Sequence, residues 1–316
     1  MTMTKARFLA AILAVAFVGF AHSSSAGLLV ANGLGDSVFQ YSVPAGGVGV
    51  PFVSSGSGGL NSPKGLALGP DGSLYVTGNI PGHGGQVFRY DGTTGAFVGL
   101  FAHTVDTTPF GVNFGPDGNL YVSNVNSDSI SRFNGATGTL LGNFVAPSSG
   151  GLNAPRGIVF GADGNLYVSS AGSDQVLRYD GTTGAFLGVF ATGVDARGLA
   201  FGPDGNLYVA SYDADDILRF NGTTGAPLGV FASGGGLDGA VGIAFGSGEL
   251  YVSSFNNGRI LEYDGSTGAF VRTFAMDLPT DVVNDGPRLL LFVPEPATFA
   301  LVGLGLAGLG FSRRKS

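Results

Sequence analysis

The chain has no cysteine, only three histidines, and just 12% charged residues. Without cysteine there is no disulfide framework, so closure has to come from strand pairing and packing. Only His83 and His103 lie beyond the first 26 residues, each in an insertion rather than at a repeated position. No G-x-S-x-G, no His-x-x-x-His and no paired glutamate is present. Cations are scarce as well: residues 27–293 carry ten Lys or Arg against 21 Asp or Glu, a net charge of −11. Such a field repels nucleic acid and anionic membrane surfaces, so neither is expected as a partner.

What is abundant is glycine, 57 residues, beside 25 phenylalanines. The glycines recur within five near-copies of one phrase, P-x-G-[LIV]-x-[FL]-G-P-D-G-N-L-Y-V-S, followed by [IV]-x-R-[YF]-[DN]-G-T-T-G-A-F-x-G-x-F. Its tyrosines, Tyr75, Tyr121, Tyr167, Tyr208 and Tyr251, are 46, 46, 41 and 43 residues apart. A period of this size marks a stacked repeat or a propeller. Each copy holds four short strand-like segments; in the third they are 157–160, 166–169, 175–179 and 186–190. Asp-Gly and Asn-Gly pairs between them supply the positive φ that tight hairpins need. Each copy therefore predicts one four-stranded antiparallel blade, which buries its faces only by packing in a ring.

The leftovers predict how the ring closes. Leu28 to Asn32 matches Leu120 to Asn124, and Asp36 to Tyr41 matches Asp128 to Phe133, so the N-terminus is a repeat lacking its first strand. Thr280 to Gly286 is expected to supply that strand, making an all-β propeller of six blades closed by the two terminal strands. Leu289 to Phe292 then resembles a second strand already supplied by Leu28 to Val30, and seven blades is the alternative.

Long apolar runs are confined to the two ends. Lys5 and Arg7 precede the apolar stretch Phe8 to Phe20, and Ser24-Ser25-Ala26 offers a cleavage site before Gly27. This is the plan of a secretory signal, so residues 1–26 are expected to be removed, leaving 27–293 as the propeller. Residues 294–316 form a tail: Pro294-Glu295-Pro296, then the apolar run 297–311, then Arg313, Arg314 and Lys315. The run is a marginal membrane helix, and the cations hold its end on the cytoplasmic side, which implies transient anchoring. This tail resembles the PEP-CTERM sorting signal of Gram-negative bacteria. The resemblance implies recognition at Pro294, Glu295 and Pro296 by an exosortase, export to the envelope, surface or exterior, and an association with exopolysaccharide and biofilm.

Leu250-Tyr251-Val252-Ser253-Ser254 with Asn257-Gly258-Arg259-Ile260 resembles the NHL repeat, and residues 28–292 resemble the wider NHL and gluconolactonase/regucalcin-like propeller group. NHL repeats often carry Asp just after the second strand, where this chain has Asn32, Gly78, Asn124, Ser170, Ser211 and Ser254. Gluconolactonase-like enzymes hold a divalent metal with carboxylates in the channel. The propeller's two glutamates, Glu249 and Glu262, align with no channel position. Streptogramin-lyase-like propellers use a histidine acid/base, and His83 and His103 occupy no such site. Asp213, Asp215 and Asp216 cluster in one loop of the fourth blade. They fall short of the six to eight oxygens that Ca²⁺ takes. They read as a solvated acidic turn, and no metal or cofactor is expected.

Loops before strand one and after strand two share a propeller face, around the channel mouth. The position before the strand-one glycine reads Lys64, Phe110, Arg156, Arg197, Val241 and Thr280 around the ring. Three cations at the mouth of a chain of net charge −11 invert the local sign and would focus on an anion such as a uronic acid, unless they serve to balance Asp195, Asp238 and Asp281. Lys64, Arg156, Arg197 and Phe110 are therefore the candidate ligand residues. The expected function is a non-enzymatic binding or scaffolding module at the cell surface or in the exopolysaccharide matrix. Its expected partners are exosortase and acidic polysaccharide or surface proteins. The alternative is a lactonase-like hydrolase or a lyase with its site at the propeller mouth.

Overall fold

The computed structural model describes residues 26–104, 106–276 and 286–294. They form six four-stranded antiparallel sheets. From the channel outward, blade 1 is Leu66–Leu68, Leu74–Ile80, Gly84–Tyr90 and Phe97–His103. Blade 2 is Pro109–Phe114, Leu120–Asn124, Ser129–Phe133 and Leu140–Val145. Blade 3 is Pro155–Phe160, Leu166–Ser170, Gln175–Tyr179 and Phe186–Thr192. Blade 4 is Ala196–Phe201, Leu207–Ser211, Asp216–Phe220 and Pro227–Ser233, and blade 5 is Ala240–Gly246, Glu249–Ser254, Arg259–Asp264 and Phe270–Ala275. The sixth, closing blade is Pro287–Val293, Gly27–Asn32, Ser37–Ser42 and Val50–Val53. Each inner strand packs on the inner strands of the blades before and after it, so the ring is complete.

Local chemistry shapes each blade. In blade 2, Gly118 has φ 74°, and the Asp117 carboxylate accepts from the Asn119 N–H (3.1 Å) and the Tyr121 hydroxyl (3.0 Å). The second strand that follows is buried on both faces, as Leu120, Tyr121 and Val122 all show, because a blade is covered on each side by a neighbour. Tyr121 lies edge-on between Phe144 of its own outer strand (4.9 Å) and Phe160 of the next blade (5.0 Å). Tyr75, Tyr167 and Tyr208 repeat this arrangement, and each of the six blade interfaces holds its own apolar cluster.

Closure uses a different segment from the one expected. The inner strand of the closing blade is Pro287–Val293, with Gly27 opposite Val293, Leu28 opposite Phe292 and Val30 opposite Leu290. Thr280 to Gly286 therefore does not supply it; residues 280–285 lie outside the described residues, and Gly286 precedes the strand. The physical reason is burial on two faces. Leu290 and Phe292 pack against blade 5, while Leu291 and Val293 pack towards blade 1. Thr-Asp-Val-Val-Asn-Asp would place carboxylates in those interfaces, where burial of an unpaired charge is costly. Leu289 to Phe292 and Leu28 to Val30 do not compete, since one is the inner strand and the other the second. No seventh blade is formed among the described residues.

Candidate functional site

The channel mouth is built at the starts of the inner strands. There a cavity of about 250 Å³ is lined by Phe110, Arg156, Arg197, Tyr212, Val241, Phe255 and Arg288. Beneath it a second space of about 140 Å³ is lined mainly by apolar side chains, among them Val112, Ile158, Leu199, Ile243 and Leu290. The mouth is thus a polar cup over an apolar floor.

A repeated hydroxyl fixes the rim. The Ser123 hydroxyl donates to the Arg156 carbonyl (2.6 Å) and accepts from the Gly111 N–H (2.7 Å). Ser169 does the same for Arg197 (2.8 Å), Thr77 for Phe110 (2.6 Å) and Ser253 for Arg288 (2.8 Å). Each rim carbonyl approaches the inner-strand glycine of the preceding blade so closely that a Cβ on Gly111 would come within 2.3 Å of the Arg156 oxygen. Backbone positions at the mouth are consequently set by buried bonds one blade away.

The three guanidiniums each lie over a ring. Arg156 covers Phe110 at 5.0 Å, Arg197 covers Tyr212 at 4.7 Å and Arg288 covers Phe255 at 5.4 Å. The Tyr212 hydroxyl donates to Asn256 (2.8 Å), whose amide donates to Asp238 (2.7 Å), so the ring beneath Arg197 is held from the rim. Arg197 forms an ion pair with Asp195 at 2.9 Å. Burial pushes the Asp195 carboxyl up, against the pull of Arg197. Arg156 has no carboxylate partner among the described residues, and its Nε is buried without an acceptor. Burial, then the repulsion of Arg197 and Arg288, lowers the Arg156 guanidinium to about 10.

The structure brings together Phe110, Arg156 and Arg197 as expected, and corrects the expected ring at two places. Lys64 keeps its ring position, donating its N–H to Thr77 and accepting from Leu289, but it is buried to 6% exposure and does not line the cavity. Thr280 lies outside the described residues, and the sixth rim position belongs to Arg288. The missed signal was Pro287-Arg288, which repeats Pro155-Arg156 in frame; Leu289 in place of the usual glycine concealed it. Tyr212 and Phe255 were also missed. They are the first residues after their second strands, where other repeats have Gly33, Asn79, Val125 and Ala171.

The remaining candidates fall elsewhere. Asp215, at φ 53°, accepts the Gly239 N–H at 2.6 Å, as Asp128 does for Ala154 (2.7 Å) and Asp36 for Ser62 (2.8 Å). It is a tie between neighbouring blades. Asp216 pairs with Ser211 and Ser233 inside the sheet, and among the described residues no three carboxylate or imidazole groups converge on a metal position with Asp213 or elsewhere. His83 is exposed, its ring against the Pro81 carbonyl, and His103 ends an outer strand. The repeated Arg132, Arg178 and Arg219 lie over Phe144, Phe190 and Phe231 of their own blades, and Glu262 in blade 5 instead holds Arg272 at 2.5 Å. Ala26 and Gly27 open the described chain beside Val293, and Pro294 closes it; Glu295 and Pro296 lie outside the described residues.

Comparison with known proteins agrees with the fold and with the tail. Residues 292–315 match the PEP-CTERM protein-sorting motif. No curated protein matches the chain. Among solved structures, a chain of the nidogen/laminin complex is 17% identical, with 85% of this chain and 98% of that one covered at a TM-score of 0.66. A protein of unknown function from Bacteroides caccae is 16% identical, covering 85% and 99% at a TM-score of 0.59. Virginiamycin B lyase from Staphylococcus aureus is 17% identical, covering 66% and 68% at a TM-score of 0.53. At such identities the likeness is one of fold alone. The chain is a six-bladed β-propeller ending in a PEP-CTERM sorting signal, which marks it for export and exosortase processing in a Gram-negative bacterium.

Proposed function

We propose that the protein is an exported, exosortase-sorted binding module of the cell surface or exopolysaccharide matrix, and that an acidic polysaccharide binds at the channel mouth without being turned over. The observation that carries this reading is the convergence of Arg156, Arg197 and Arg288 on one cavity, each backed by an aromatic ring, in a propeller of net charge −11. Guanidinium forks match carboxylates in geometry and charge. Low-dielectric walls concentrate their field on an anion that enters the mouth. The cup of about 250 Å³ suits one sugar unit of a chain. Virginiamycin B lyase shares the fold, but here neither histidine lines the cavity and Asp195 is engaged by Arg197, which favours binding over acid–base chemistry.

Isothermal titration with a trigalacturonate tests this. Micromolar-to-millimolar binding by the native protein is expected, weakening as salt rises because partly exposed charges are screened. The Arg156→Ala/Arg197→Ala double variant should bind at least about tenfold more weakly, the loss of roughly 1.4 kcal/mol or more. Failure of the native protein to bind trigalacturonate or other uronate oligomers, or equal binding of neutral oligosaccharides, would overturn it.

A further inference from the structure

Arg288 reaches the mouth by a different route from Arg156 and Arg197. Those two stand on strands embedded in continuous blades, whereas Arg288 is the second residue of Pro287–Val293, the strand that closes the ring. What docks this strand is its pairing with Gly27–Asn32, the burial of Leu290 and its neighbours, and the Ser253 bond to the Arg288 carbonyl. Docking also brings a third guanidinium to the cavity that Arg156 and Arg197 already line.

The other end of the same strand leads out of the fold. Val293 pairs with Gly27, and Pro294, the next residue, begins the sorting motif. Five residue steps of extended chain run from Arg288 to Val293, about 17 Å at the usual rise. One end of the strand thus lies at the mouth, and the other lies at the opposite face beside the expected signal-cleavage point.

We propose that the anionic ligand of the mouth is also a closure effector: by engaging Arg288 it strengthens the docking of the strand that runs into the sorting motif. The proposal rests on the mouth being an anion site. A ligand that touches Arg288 only when the strand is docked binds the closed ring better than the open one. Linkage then requires occupancy to raise the closed population, and closure to raise affinity by the same factor.

Hydrogen exchange on the full-length protein, with and without saturating trigalacturonate, tests it. The expected result is at least a tenfold slowing of the amides of residues 287–293, with a smaller change in strands of blades 1 and 2. Arg288→Gln should abolish that selective slowing. Arg156→Gln, which leaves the closing strand untouched, should weaken binding yet retain the slowing at saturation. Binding by titration with no selective protection of 287–293 overturns the coupling and leaves the anion site standing. Absence of binding overturns both.

Discussion

Arg156 carries most of the electrostatic tension at the mouth. Its guanidinium is lowered to about 10 by burial and by Arg197 and Arg288, with the ring of Phe110 as its main neighbour. The folded state thus sheds this proton more readily than the unfolded chain does. Stability from this group is lost as pH falls through about 10, and the penalty stays in full force throughout the neutral range. Replacing a half-buried charge that lacks a carboxylate partner by an apolar side chain of similar length is neutral or stabilising. Arg156→Met is therefore expected to raise the melting temperature of the ligand-free protein by roughly 2–4 °C, about 1 kcal/mol in a domain of this size. The same variant should lose affinity for trigalacturonate. A scan and a titration on one preparation check both, and a lowered melting temperature would show that the Phe110 contact outweighs the desolvation. Phe110, Arg156 and Arg197 were legible from sequence because each sits in register before a repeated glycine. Arg288 was not, because Leu289 stands where the glycine should be.

At the scale of the blade, the recurrent lock is the glycine ending each D-G-T-T-G turn. Asp180 accepts from the N–H groups of Thr182 (3.0 Å) and Thr183 (2.8 Å), which tightens the turn, and Gly184 follows at φ 74°. A Cβ on Gly184 would lie 1.9 Å from the Phe144 carbonyl oxygen of blade 2. Gly95, Gly138, Gly225 and Gly268 meet Phe52, Phe101, Phe190 and Phe231 in the same way. The seam keeps the device: the Gly47 N–H donates to the Phe274 carbonyl at 2.8 Å, and Gly46 packs on the same oxygen. Gly184→Ala combines left-handed strain with a backbone clash, so a loss of about 3 kcal/mol is expected. Gly99→Ala serves as control, since a Cβ there meets nothing within 4 Å and its φ is not positive. Equal melting temperatures for the two variants would show that the blades are not locked at this contact.

At the scale of the whole molecule, Gly27 and Val293 meet on one strand pair while the cationic mouth opens on the other face. Replacing Pro294, Glu295 and Pro296 by alanine leaves the ring intact up to Val293 and removes the motif matched at residues 292–315. In a host with exosortase the variant is expected to stay uncleaved and membrane-retained, with unchanged trigalacturonate affinity in detergent extracts. Immunoblotting of membrane and released fractions measures this, and normal processing of the variant would place recognition elsewhere in the tail.

By itself the sequence determined the blade and the destination. Asp-Gly turns, the doubly buried Leu-Tyr-Val-Ser strand and the interblade glycines are local patterns that recur five times, so each copy reports the same unit. The tail is likewise a linear signal and needs no fold to be read. Only tertiary structure decided which terminal segment closes the ring. That choice depends on both faces of one strand fitting between blades 5 and 1, where Leu290 and Phe292 succeed. Only tertiary structure likewise put Arg288, rather than Thr280, at the sixth rim position and left Lys64 out of the cavity lining. Rim residues come from strands more than forty positions apart, and which of their side chains line the cavity is set by packing that no single repeat contains.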